Sequence, residues 1–253
     1  MTTQTLEKKV PAVNANGNHL STFNIPPQDV QSELKKHMLV DGFDITIDLK
    51  NSKGSYLYDS KHKRKLLDFF TFVASNPLGM NHPKLNNDEF IREIGEVAVN
   101  KPSLSDIYTE IQAEFVETFF RIAVPSYFKY SFFIEGGAMA VENCLKAAFD
   151  WKVRKNFEKG YKTEKGHQVI HFKQAFHGRS GYTMSLTNTD PTKVLYYPKF
   201  NWPRIDNPKI TFPLNDVNLK SVEEAEFKAI VQIKDAIMNN KDDIACIILE
   251  PIQ

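Results

Sequence analysis

The chain has 253 residues, and its hydrophobic (42%) and charged (25%) fractions are those of a globular protein with a substantial core. Its formal net charge of +1 gives no general attraction to nucleic acid or to an acidic membrane surface. The two cysteines and seven histidines form no disulfide framework and no metal-ligand spacing, and the N-terminus lacks a signal-peptide stretch. We therefore expect a cytoplasmic protein without a metal site and without nucleic-acid or membrane partners.

The first half of the chain predicts an arm, a hairpin region and two helices. Residues 1–25 are polar and predict a flexible arm, and a short helix is expected at 29–39. Between 43 and 68, short alternating apolar runs are separated by turn-forming residues, which predicts a meander of β-hairpins. Apolar residues at helical spacing then predict helices at 89–99 and 108–122.

From residue 131 onward, predicted strands and helices alternate. Strands are expected at 131–134, 169–172 and 244–250, and helices from Gly137 and over 221–239, the latter with a capping box of Ser221 and Glu224. This order predicts an α/β fold with a mainly parallel sheet covered by helices on both faces. Ligands of such sheets collect beyond the carboxyl ends of the strands.

The Gly136–Gly137 pair lies between an apolar run and a predicted helix. Glycine lets the chain turn sharply and lets a ligand approach the backbone. The first helical turn presents unpaired N–H groups and the positive end of the helix dipole, which together favour a phosphate. An ordinary strand-to-helix connection explains the same residues, so the pair alone leaves both interpretations open.

Two further candidates follow predicted strands. The segment Phe176-His-Gly-Arg could stack a planar ligand and bind a carboxylate through Arg179, although a surface loop explains it as well. Glu250 ends the last apolar strand, where a carboxylate needs a partner. A structural salt bridge and a functional role are both compatible with that position.

In combination, three segments resemble the class III aminotransferases of fold type I: Gly136-Gly-Ala, Phe176-His-Gly-Arg and Glu250-Pro-Ile-Gln. Within that family, further segments resemble the branch that acts on the ε-amine of L-lysine, among them Ala147-Ala-Phe-Asp-Trp-Lys and Pro198-Lys-Phe-Asn-Trp-Pro. The resemblance extends from about residue 41 to the end. It implies pyridoxal 5'-phosphate as cofactor, transfer of the ε-amino group to 2-oxoglutarate, and a homodimer. The products would be 2-aminoadipate 6-semialdehyde and glutamate.

The resemblance also implies four cofactor contacts. Gly137 and Ala138 would hold the phosphate through backbone N–H groups, and Phe176 would stack on the pyridine ring. Gln253 would lie near the cofactor. Many relatives have Ser or Thr where this chain has Ala138, so a hydroxyl contact would be missing here.

For the substrates, the resemblance implies roles for two charged residues. Arg179 would bind the α-carboxylate of lysine and so present the ε-amine to the cofactor. Glu250 would be the gating carboxylate that pairs with a distant arginine as the two substrates alternate.

The domain limits implied by the resemblance are an arm at 1–25, an N-terminal segment of the small domain at 26–82, and part of the large cofactor-binding domain at 83–253. No lysine in the chain matches the motif of the Schiff-base lysine, which follows the glutamate motif in the family. We therefore expect an N-terminal fragment that is inactive alone. Two alternatives stay open: another ω-aminotransferase, of the ornithine or 4-aminobutyrate type, and a polypeptide without catalytic function.

Overall fold

A computed structural model of the protein describes residues 25–103 and 106–252. Of the predicted arm, only residue 25 is among the described residues, and Gln253 lies outside them. The chain divides into two compact units between Pro125 and Ser126. The domain limits implied by the family, with a boundary at 82/83, remain a prediction.

The first unit is built around the predicted meander. Strands β1 (Ile47–Lys53), β2 (Tyr56–Asp59) and β3 (Arg64–Leu67) form an antiparallel sheet in that order, after the short helix α1 (Val30–Lys35). The prediction of a hairpin meander is confirmed. Each hairpin loop is short, so consecutive strands pair with their neighbours along the chain.

Three elements complete the first unit. The turn α2 (Thr71–Ala74) has φ angles between +47° and +60° and is left-handed. The helices α3 (Asp88–Ala98) and α4 (Glu110–Ile122) lie within two residues of the predicted bounds. Their N-caps are Asn87 and Thr109, whose side chains accept hydrogen bonds from N–H groups of the first turn.

The second unit begins with the long helix α5 (Gly137–Glu158) and continues as alternating strands and helices. In chain order these are β4 (Gln168–Phe172), α6 (Gly181–Leu186), the 3₁₀ turn η1 (Pro191–Lys193), β5 (Arg204–Ile205), α7 (Asp216–Asn239) and β6 (Ile244–Ile247). The strands form a parallel sheet in the order β5-β4-β6.

Adjacent residues of the central strand β4 belong to two separate apolar clusters. Val169 packs with Leu145 and Phe149 of α5, whereas Ile170 packs with Ala229 and other residues of α7. Because neighbouring side chains of a strand point to opposite faces, α5 and α7 cover opposite sides of the sheet. The predicted parallel sheet with helices on both faces is therefore confirmed.

Two local predictions are wrong. Residues 131–134 form no strand, because a strand requires a backbone ladder and the described part of the chain supplies none for them. Helix α7 begins at Asp216, five residues before the predicted cap Ser221, because the Asn215 side chain accepts from the N–H of Asn218. No helix within the described ranges is both long and apolar enough to cross a membrane.

Candidate active site

The N-terminus of α5 presents backbone N–H groups without a side-chain cap. Gly136, the N-cap residue, has φ +88°, a conformation that L side chains rarely adopt. A Cβ at Gly136 or Gly137 would meet nothing within 4 Å, so the space in front of the helix is open. The N–H groups of the first turn have no intrahelical acceptors, and the helix dipole adds positive potential there. This terminus is suited to an anion.

The first turn of α5 is packed against the segment that follows β4. A Cβ placed on Gly178 would lie 2.6 Å from the Cβ of Ala138 and 2.9 Å from its Cα. Gly178 also has φ +116°. Only glycine meets both demands without strain. This close approach brings the glycine turn next to the Phe176–Arg179 segment.

Side chains from two other elements fix the backbone of that segment. The N–H of Phe176 donates to Oε2 of Glu250 at 2.9 Å. The hydroxyl of Thr187 accepts from the N–H of His177 at 3.0 Å and donates to the carbonyl of Gly178 at 2.5 Å. The carboxylate beyond β6 and the segment beyond β4 are thus in direct contact.

Glu142 of α5, which sequence reasoning missed, fixes the other end of the segment. This side chain is 8% exposed, and its Oε1 accepts from the hydroxyl of Ser180 at 2.7 Å and from the N–H of Thr183 at 3.0 Å. A signal for it was available, since Glu142 is three and seven residues before Leu145 and Phe149. A carboxylate on the apolar face of a helix indicates a buried polar contact.

Two buried histidines flank this arrangement. Burial lowers the pKa of His177, the nearby Glu250 carboxylate opposes that shift, and its Nε2 has no hydrogen-bond partner within the described residues. Burial also lowers the pKa of His171 to about 4. Because Arg204 Nε can only donate, His171 Nε2 accepts from it at 3.0 Å. The neutral His171 ring therefore carries its proton on Nδ1, which lies 3.3 Å from the carbonyl of Val169.

Two clefts lie around these residues. The smaller, of about 280 Å³, lies beyond the carboxyl ends of the three strands and is lined by Phe172, Asn207, Leu249 and Glu250, among others. The larger, of about 590 Å³, is lined by Glu142, Arg179, Tyr182, Tyr197 and Phe200, among others. Glu250 and Arg179 therefore line different clefts. They are linked through the backbone of residues 176–179.

The predicted site residues are placed as follows. Gly137 and Ala138 begin α5, Ala138 contacts the Gly178 backbone, and Phe176 is 44% exposed beside Glu250. The side chain of Arg179 is exposed in the larger cleft, and no acidic group within 25–103 or 106–252 forms an ion pair with it. Their contacts with ligands remain predictions.

The family model for class III aminotransferases matches residues 39–253. The chain belongs to this family. The match covers both compact units, including every element from β1 onward. Class III aminotransferases of fold type I depend on pyridoxal 5'-phosphate, and a phosphate is the kind of anion that a helix N-terminus is suited to bind.

Two groups of known proteins are most informative. The chain is 50% identical to the L-lysine-epsilon aminotransferase of Mycobacterium tuberculosis over 228 residues, which are 90% of the chain and 50% of that protein. It is 44% identical to the L-lysine-epsilon aminotransferase of Streptomyces clavuligerus over 96% of the chain. Human mitochondrial 4-aminobutyrate aminotransferase is 25% identical over 81% of the chain.

The solved structures agree with the sequence matches. The lysine aminotransferase from M. tuberculosis in the internal aldimine form superposes with a TM-score of 0.82 and covers 90% of the chain. An ω-aminotransferase from Paracoccus denitrificans, 16% identical with a TM-score of 0.65, shows the shared fold. The chain spans about half the length of the relatives it matches.

The residues present fit the cofactor phosphate. The terminus of α5 has no side-chain cap, and the two glycine positions leave open space in front of its N–H groups. Ala138 offers a backbone N–H but no hydroxyl, so its side chain has no group that could donate to a phosphate. The cleft beyond the strand ends lies at the edge of the sheet where ligands of this fold class bind.

Proposed function

We propose that the protein containing this chain transfers the ε-amino group of L-lysine to 2-oxoglutarate with pyridoxal 5'-phosphate. The products would be 2-aminoadipate 6-semialdehyde and glutamate. The observation that carries this proposal is the 50% identity to a lysine-epsilon aminotransferase over 90% of the chain. The 4-aminobutyrate enzymes are 24–27% identical, a much weaker match.

On this proposal, the chain contributes contacts to the phosphate and to the ring of the cofactor. Gly137 and Ala138 would donate backbone hydrogen bonds to the phosphate from the start of α5. Phe176, held at its N–H by Glu250, would lie against the pyridine ring. Gln253, outside the described residues, would lie near the cofactor. When bound, the cofactor supplies an electron sink for the carbon that loses its proton.

Arg179 would position the donor. Its guanidinium is exposed in the larger cleft, where its planar fork can bind a carboxylate through two hydrogen bonds. Binding the α-carboxylate there would leave the ε-amine, at the other end of lysine, to reach the cofactor. Only the distal amine then reacts.

Glu250 would allow the same site to bind lysine and 2-oxoglutarate in turn. In this structure its Oε2 accepts from the N–H of Phe176. As a gating carboxylate it would pair with an arginine while lysine is bound and release that arginine for the second carboxylate of 2-oxoglutarate. We further propose that the whole protein works as a homodimer in the cytoplasm.

The proposal is tested by steady-state kinetics on the full-length protein with 2-oxoglutarate and four donors: lysine, ornithine, 4-aminobutyrate and 6-aminohexanoate. We expect the highest kcat/KM for lysine, by at least about tenfold, which corresponds to about 1.4 kcal/mol of selectivity. A higher value for ornithine or 4-aminobutyrate would assign the protein to another branch of the family.

A second measurement addresses the chain as printed. When residues 1–253 are mixed with pyridoxal 5'-phosphate, we expect no absorbance band that depends on one particular lysine. Lysine-to-arginine replacements test this, and a band abolished by a single replacement would contradict the expectation. If the full-length protein also showed neither this absorbance band nor any aminotransferase activity, the non-catalytic alternative would be favoured.

A further inference from the structure

We propose that Glu142 is a positioning residue that fixes Arg179 relative to the phosphate-binding turn. The inference rests on the proposed function and deepens it. Glu142 is about 1.4 helical turns after Gly137, on the helix whose first turn would hold the phosphate. It contacts the residue directly after Arg179. One buried carboxylate therefore joins the cofactor-binding helix to the carboxylate-binding arginine.

The hydrogen bonds of Glu142 are concentrated on one oxygen. Oε1 accepts from both Ser180 Oγ and Thr183 N–H, while Ser180 and Thr183 also bond to each other as the capping box of α6. The carboxylate thus fixes the first turn of α6 as a unit. It also satisfies a helix-terminal N–H that is buried away from water.

On the N-terminal side of Arg179, other residues fix the backbone. Phe176 is held by Glu250, and His177 and Gly178 by Thr187. Ser180, the next residue after Arg179, depends on Glu142 and on Thr183 of its own helix. Without the carboxylate, Ser180 and Thr183 would lose their hydrogen bonds to α5, and only apolar packing of α6 on α5 would remain on this side of Arg179.

The consequence concerns geometry at the substrate. A carboxylate-binding arginine works only if the distance from its guanidinium to the reacting amine matches the length of the donor. Glu142 would set that distance because it ties the Arg179 backbone to the helix that holds the cofactor phosphate. A loss of Glu142 should therefore weaken lysine binding through Arg179 while leaving the cofactor in place.

The test is a double-mutant cycle in the full-length protein. Glu142→Ala should raise KM for lysine about tenfold with kcat and the dissociation constant of pyridoxal 5'-phosphate changed less than about threefold. Arg179→Ala should raise KM by itself, and adding Glu142→Ala to it should change KM by less than about twofold, because both act through one side chain. Multiplicative effects would overturn the proposal.

Two further variants keep the test decisive if Glu142→Ala folds poorly. Glu142→Gln retains an oxygen that can accept from both Ser180 and Thr183, so KM should return to within about threefold of the parent value. If Glu142 bound the α-ammonium of lysine directly, glutamine would fail as badly as alanine, and the positioning role would be wrong. Ser180→Ala removes one of the two hydrogen bonds and should give an intermediate KM.

A matched control lies on the same helix. Asp150→Asn alters an exposed α5 carboxylate that pairs with Arg154 on the surface, and it should leave KM unchanged. The outcomes also separate the two proposals. If the parent protein does not use lysine, the proposed function fails. If it uses lysine but Glu142→Ala matches the parent, only the positioning role fails.

Discussion

Replacing Gly178 with alanine should both strain the backbone and produce a steric overlap. The φ of +116° costs an L residue about 1–2 kcal/mol. The added Cβ would lie 2.6 Å from the Cβ of Ala138 and 2.9 Å from Oγ1 of Thr183, well inside the about 3.5–4.0 Å of ordinary carbon contacts. Overlap of this kind costs about 1–3 kcal/mol more. We therefore expect Gly178→Ala to lower the free energy of unfolding by about 2–5 kcal/mol.

Gly160 supplies a control for the backbone contribution. It has φ +96°, but a Cβ there would meet nothing within 4 Å. Gly160→Ala should therefore show only the conformational cost, about 1–2 kcal/mol. The difference between the two variants measures the contact between Gly178 and α5.

Urea unfolding of the full-length protein measures the free energy of unfolding of each variant. A separate titration of the folded protein with pyridoxal 5'-phosphate measures its affinity for the cofactor. Gly178→Ala should also lower the affinity for the cofactor, because the first turn of α5 must move to make room for the methyl group. Combining it with Ala138→Gly should recover part of the stability, since the 2.6 Å contact is then removed. Equal losses for Gly178→Ala and Gly160→Ala, or no recovery in the double variant, would refute the reasoning.

Two further predictions concern buried titratable groups. Burial by itself would raise the pKa of Asp59, but hydrogen bonds from Thr46, His62 and Arg64 hold that pKa well below its usual range. The ionised carboxylate therefore stabilises the fold at neutral pH, and this stabilisation is lost progressively as the pH falls below about 4. Asp59→Asn should cost about 1–3 kcal/mol at pH 7 and flatten the loss of stability between pH 5 and 3; an unchanged acid slope in urea unfolding would contradict this. His171, with a pKa of about 4 when folded, makes unfolding easier as the pH falls below about 6.5, by about 2 kcal/mol between pH 7 and 5. His171→Gln should remove that change, whereas an unaltered pH dependence of the unfolding free energy would show that folding does not lower the pKa of His171.

Much of the architecture follows from local sequence. The meander, α3, α4 and α5 were predictable because each depends on the period of apolar residues and on caps or turns only a few residues away. The glycine turn before α5 was predictable for the same reason, since Gly136 and Gly137 are adjacent to the helix they start. The start of α7 was missed because Asn215 competes with Ser221 as a cap, and local pattern does not decide between them.

The chain itself determined which chemical groups are available: a glycine pair before a helix, an arginine beside an aromatic ring, and a carboxylate at a strand end. Only the tertiary structure decided how they are joined. Glu142 is 38 residues before Ser180, and Phe176 is 74 residues before Glu250, yet each pair is within hydrogen-bond distance. The physical reason is that the parallel sheet brings strand ends from distant parts of the chain to one edge, and sequence spacing carries no record of those distances.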